Sequence, residues 1–187
     1  MKDPVLLIPR KLGMSLWTGP RGAVRAECGT IGGMSLSVGD TAPEFSLPDQ
    51  DRQVVSLQGL RGSPVLVVLY PFAFSGICTG ELCQLRDELG VYTEAGVQVV
   101  AISTDPVFSL KAFRAQEGLE FPLLSDFWPH GATAQAYGVF NDKAGMAVRG
   151  TFLVNAEGTI AFAEVNQPGD ARAQEGWKAA VGELAAA

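Results

Sequence analysis

The chain has 187 residues, of which 47% are hydrophobic and 18% charged, and it carries a formal net charge of -6. That is enough apolar side chain for a buried core and too little charge for a disordered chain. An acidic balance argues against a surface built to neutralise phosphates or anionic lipid, and no apolar run approaches the roughly 20 residues that span a bilayer, so neither nucleic acid nor membrane is an expected partner.

Residues 1–33 show scattered Gly, Pro and basic side chains without a helical or strand period, and they are expected to be a disordered N-terminal extension. Met34 reads as the natural start and residues 34–187 as the folded domain. Near the N-terminus, Asp3, Pro4 and Pro9 interrupt the short apolar run, which leaves no signal-peptide core of about 7 to 15 apolar residues. Three cysteines, Cys28, Cys78 and Cys83, are odd in number and sparse, unlike a secreted disulfide framework. A reducing, cytoplasmic location is therefore expected. Cys28 lies in the extension and receives no role.

Organised sequence begins near Val38. Residues 45–47 and 54–57 are short extended segments around a turn-like stretch rich in Asp, which predicts an N-terminal β-hairpin. The continuous aliphatic run at 64–70 has the pattern of a strand buried on both faces of a sheet, and helical sequence follows over 78–89. A second buried strand is expected at 97–103 and an amphipathic helix at 107–117. A loop containing Phe127, Trp128, Pro129 and His130 then leads to a short helix over 132–137. Two strands at 151–155 and 159–164 flank a turn at 156–158, and an Ala-rich helix closes the chain over 171–187. The sum is an α/β domain with a central mixed sheet flanked by helices, compatible with a thioredoxin-like fold, although element order alone does not single that fold out.

The chemistry concentrates between the first buried strand and the helix after it. Cys78 falls in the first helical turn, where unsatisfied N–H groups and the positive end of the dipole stabilise a thiolate. Ser75 places a hydroxyl three residues ahead, able to donate to sulfur or to a peroxide oxygen. Pro71 has no N–H and shields the loop. The sulfur is expected to be anionic, uncovered and surrounded by donors, which suits attack on an O–O bond with little need for a separate metal or organic cofactor. His130 is the only histidine, so a zinc site built on several histidines is excluded, and no phosphate-cradling Gly-rich loop follows a strand. Glu81 reads as a residue favouring the helix N-terminus, Phe127 and Trp128 as core or dimer-contact residues, and His130 as a surface side chain.

Pro71, Ser75 and Cys78 stand in the spacing of the peroxiredoxin signature Pro-x-x-x-Thr/Ser-x-x-Cys, with the less common Ser. From about Val38 onward the sequence resembles the alkyl hydroperoxide reductase E subgroup of that family, in segments such as VGDTAPEFSLPDQ, FPLLSDFWPHG and RGTFLVN. The resemblance implies a thioredoxin-like fold, Cys78 as the peroxidatic cysteine, and Arg149 as the arginine that binds the thiolate and orients peroxide. It also implies a homodimer, and thioredoxin, a glutaredoxin-like protein or a low-molecular-weight thiol as reductant. Ser in place of Thr keeps the hydroxyl and loses a methyl that restrains its rotamer.

Cys83, five residues beyond Cys78, resembles the resolving cysteine of the Q-type, bacterioferritin comigratory group. An intact helix would hold the two Cα atoms about 8.6 Å apart, whereas disulfides need less than about 7 Å. A Cys78–Cys83 bond therefore requires the first turn, which contains Gly80, to unwind; the alternatives are resolution by an external thiol and Cys83 as a small buried hydrophobe. Two further function classes stay open at this point, a thioredoxin-like disulfide oxidoreductase and a non-enzymatic thiol redox sensor.

Overall fold

A computed structural model describes residues 36–185. The extension expected over 1–33, the start at Met34 and Cys28 lie outside the described residues.

The aliphatic run forms the central strand β3 (Val65–Leu69), and all five of its side chains are buried because the sheet is covered on both faces. Its neighbours give the order β5 (Leu123–Ser125), β4 (Gln98–Ser103), β3, β8 (Arg149–Val154) and β9 (Ile160–Asn166). β3 pairs in parallel with β4 and β4 with β5, while β8 runs antiparallel to both β3 and β9. The sheet is mixed, as the sequence predicts.

Side chains alternate across a strand, and two cores follow from that alternation. Leu66, Val68 and Tyr70 pack with Leu82 and Leu85 of α1 (Gly76–Asp87), Leu110 and Phe113 of α3 (Val107–Glu117), and Trp177 and Val181 of α5 (Glu175–Ala185). Val65, Val67 and Leu69 point the other way, onto Phe45, Leu47, Leu57 and Tyr137. That second face is covered by the N-terminal hairpin of β1 (Ser46–Pro48) and β2 (Val54–Ser56) and by α4 (Ala132–Ala136). Each large apolar side chain buried in this way contributes about 1.5–3 kcal/mol. Trp177 Nε1 donates to Tyr92 OH at 2.9 Å, which fastens α5 to the short helix α2 (Leu89–Glu94).

The helix at 107–117 occupies the predicted residues and ends on Gly118, whose φ of 63° suits a residue without a Cβ. Gly131 is required more strictly: with φ of 69°, an added Cβ would lie 2.1 Å from the Phe140 ring. The predicted β8–β9 hairpin is present, its turn closed by Gly158 N–H to Asn155 O and by Thr159 N–H to Asn155 Oδ1.

Several elements escape the sequence reading. α2 follows α1 after a break at Glu88 and lies beyond the helical sequence expected over 78–89. β5, β6 (Phe140–Asn141) and β7 (Met146–Ala147) are too short for a period to register. α5 begins at Glu175 rather than 171, and the backbone N–H of Arg172, ahead of it, bonds Glu81. The core reading of Phe127 and Trp128 is corrected: they are 51% and 80% exposed, in the loop after β5. His130 is at the surface, its Nε2 2.7 Å from Gly145 O. Among the described residues, no helix is long and apolar enough to cross a membrane.

Candidate active site

β3 delivers the chain to Tyr70 and Pro71, both buried, and α1 starts at Gly76. Ser75 is the N-cap residue, with extended backbone at φ -77° and ψ 137°, and its C=O accepts from Thr79 N–H at 2.8 Å to close the first turn. Cys78 is the third residue of α1, as the sequence places it. The expectation of an uncovered sulfur is corrected, because Cys78 is 0% exposed and sits in the core cluster with Tyr70, Ala73 and Leu82.

The loop over 71–75 is drawn down onto the neighbouring elements. Phe74 adopts φ of +62°, which for a bulky L-residue costs about 1–2 kcal/mol. Its ring meets Phe113 of α3 edge-on at 5.0 Å between centroids, and Ala73 N–H donates to Asp105 Oδ2 at 2.8 Å. Phe72, Phe74 and Ile77 remain partly exposed around the covered sulfur.

Glu81, one helical turn beyond Cys78, does not serve the helix N-terminus as expected; it is buried and anchors an ionic cluster. Its Oε2 accepts from Arg149 Nη1 at 2.5 Å and from Arg172 Nη1 at 2.8 Å, and its Oε1 accepts from Arg172 N–H at 2.8 Å. Both arginines are buried as well. Arg149 gives its remaining donors to Pro168 O, from Nε at 3.1 Å and Nη2 at 3.0 Å. Arg172 Nη2 donates to the carbonyl oxygens of Leu69 and Gly150. Two guanidinium groups thus face one carboxylate in a buried site, and the Glu164 carboxylate also acts on Arg172.

Arg172 is pulled down to about 10, first by burial; Glu81 opposes that shift, Arg149 adds to it, and the nearby Cys78 opposes it. The guanidinium keeps its proton at neutral pH and couples to the sulfur electrostatically. Tyr70, buried beside the same sulfur, is pushed far up, first by burial, and stays a phenol.

The sequence therefore places Pro71, Ser75 and Cys78 together, while the hydrogen bonds expected of two residues are not formed in this closed state. Ser75 is half-buried and makes no side-chain capping bond. Arg149 is directed to Glu81 and Pro168 rather than to Cys78. Arg172 is the site residue that sequence reasoning missed. It lies in a stretch read as helix, its partner Glu81 is 91 residues away, and no local spacing signals the pairing.

Cys83 is half-buried on the same helix, its Sγ 3.6 Å from Glu117 Oε2 of α3. Burial pushes its thiol up first, the Glu117 contact pushes the same way, and Arg86 pulls it down. Arg86 Nη1 donates to Glu117 O, a second clamp between α1 and α3. Both cysteines are free, and α1 is continuous through Gly80.

Residues 38–163 match the AhpC/TSA family. Alkyl hydroperoxide reductase E of Mycobacterium tuberculosis is 53% identical over 152 residues, covering 81% of this chain and 99% of that protein. The chain belongs to the peroxiredoxins. Peroxiredoxin Bcp of Escherichia coli is 41% identical over 131 residues, 67% of this chain and 83% of that protein. The crystal structure of peroxidoxin BcpB from Mycobacterium tuberculosis superposes with a TM-score of 0.69 at 29% identity, covering 81% of this chain and 97% of the other. This peroxiredoxin is accordingly an enzyme of the thiol-dependent peroxidase class, and its thioredoxin-like fold agrees with the strand order found here.

Proposed function

We propose that Cys78 is the sulfur that reduces hydrogen peroxide and organic hydroperoxides, with Arg172 and Arg149 supplying the positive field around it. The observation that carries this reading is the position of Cys78 in the first turn of α1, one turn ahead of Glu81, whose single carboxylate is shared by two buried arginines. Peptide N–H groups at the helix start and guanidinium groups both favour an anion.

The thiolate of Cys78 attacks one oxygen of the peroxide, a sulfur–oxygen bond forms, and the O–O bond breaks. The sulfur loses two electrons and becomes a sulfenic acid, while the departing oxygen leaves as hydroxide or alkoxide and takes a proton to give water or an alcohol. Donors preorganised toward that oxygen lower the barrier, and Ser75 and the guanidinium groups are the side chains that would supply them around the packed loop. Pro71 closes the side of the pocket next to β3.

Regeneration needs a second thiol. Cys83 serves if the first turns of α1 unwind and the Glu117 contact is released; otherwise thioredoxin, a glutaredoxin-like protein or a low-molecular-weight thiol attacks the sulfenic acid directly. The exposed aromatic residues Phe72, Phe74, Phe108, Phe127 and Trp128 support a homodimer. A cytoplasmic setting accords with two free cysteines.

Stopped-flow peroxide consumption with these reductants tests the assignment in wild type, Cys78→Ser and Cys83→Ser. Activity retained by Cys78→Ser would overturn it. Loss in Cys78→Ser alone marks resolution by an external thiol, and loss of recycling in Cys83→Ser marks an internal disulfide.

A further inference from the structure

We propose that Asp105 is a positioning residue for Cys78: its carboxylate tethers the loop over 71–75 and keeps the first turn of α1 closed over the sulfur. This rests on the reading of Cys78 as the reacting group.

Asp105 lies two residues beyond the end of β4, outside the ionic cluster, and its contacts all run toward the carboxyl end of the parallel strands. Oδ2 accepts from Ala73 N–H at 2.8 Å and from Ser103 Oγ–H at 2.8 Å. Asp105 N–H donates to Ser103 Oγ at 3.3 Å, and Asp105 O accepts from Ser125 Oγ–H at 2.6 Å. The carboxylate is thereby fixed by Ser103 of β4 and the Asp105 backbone by Ser125 of β5, and the one bond to the Cys78 loop is made at Ala73.

The position of that bond gives it its effect. Ala73 directly precedes Phe74, which holds an unfavourable left-handed backbone, and Ser75, which caps α1. A loop in such a conformation persists only where its surroundings over-determine it. Two contacts do so here, the aromatic one to Phe113 and the polar one to Asp105. With the polar contact removed, Phe74 relaxes toward negative φ, the Ser75 cap moves, and Cys78 comes into solvent. Asp105 also accounts for an enzyme whose sulfur is fully covered at rest, since a tether of one hydrogen bond closes the site and remains reversible.

Three measurements on the full chain test the proposal. In Asp105→Ala, the second-order rate of Cys78 oxidation by hydrogen peroxide is expected to fall about tenfold to a hundredfold, because a small misplacement of a reacting group has effects of that size. Alkylation of Cys78 by iodoacetamide without peroxide is expected to rise severalfold in the same variant, and amide exchange to accelerate within residues 71–79 and not in β3, β4 or β5. Asp105→Asn keeps an oxygen that accepts from Ala73 and recovers most of the rate. If Asp105→Ala does not fold, Ser103→Ala is the substitute, expected to move rate and alkylation in the same directions by smaller factors.

Wild-type rate and alkylation in Asp105→Ala, or in Ser103→Ala where it stands in, would overturn the proposal, as would faster exchange spread evenly over the sheet. Failure of the parent reading is separable: it appears as peroxide consumption retained by Cys78→Ser, whereas failure of the tether appears as an unchanged Cys78-dependent rate in Asp105→Ala.

Discussion

Arg149 and Glu81, 68 residues apart in sequence, meet in a buried ion pair of 2.5 Å at the centre of the site. Neither side chain has solvent to fall back on, and the same carboxylate also holds Arg172. Removing it leaves two unpaired buried cations.

Glu81→Gln should therefore be more harmful than loss of an exposed pair such as Lys111–Asp51. Breaking one side of a buried pair costs about 3–5 kcal/mol. Thermal melting followed by circular dichroism should show a drop of roughly 10 °C, from about 2–4 °C per kcal/mol at this chain length. Lys111→Ala should stay within about 0.5 kcal/mol of wild type.

Arg172→Lys retains a positive charge and loses the fork that binds Glu81, Leu69 O and Gly150 O together. Stopped-flow oxidation of Cys78 should slow by about 100-fold, the lower end of what loss of one preorganised donor at a charged transition state costs. A rate equal to wild type would remove Arg172 from the site's electrostatics.

Burial and Glu117 hold the Cys83 thiol above its ordinary range. Only the thiolate attacks a sulfenic acid, so internal disulfide formation after a peroxide pulse should accelerate as pH rises from about 6 to about 9. Glu117→Ala removes one of the groups that raise the thiol, and the same rise should then occur at lower pH. Non-reducing electrophoresis of acid-quenched samples reads both profiles; identical profiles would show that Glu117 has no hold on Cys83.

Arg52 adopts φ of 66° in the exposed turn between β1 and β2. Arg52→Gly relieves that conformation, a gain of about 1 kcal/mol or less once the added freedom of the unfolded chain is counted. The melting temperature should rise by about 2 °C.

Much of this architecture was legible because it is written locally. The aliphatic runs at β3 and β4 exceed what a surface strand needs, α3 carries its own period and ends at Gly118, and Asn155 to Gly158 specify a hairpin turn. The site was half legible for the same reason: Pro71, Ser75 and Cys78 sit within eight residues of one another. Glu81 and Arg172 were misread or missed because their meaning comes from partners 68 and 91 residues distant, and a carboxylate near a helix start looks the same whether it faces water or two guanidinium groups. The cover over Cys78 was invisible for a related cause. It depends on where Phe113 and Asp105 stand in three dimensions, not on any pattern within the loop.

The sharing of Glu81 bears on what happens after each turnover. Arg149 of β8 and Arg172, ahead of α5, both hold α1 through that one carboxylate. Unwinding of α1 that reached Glu81 would unpair both arginines at once, at a cost of about 3–5 kcal/mol, so the cluster confines any such unwinding to the turn ahead of Glu81.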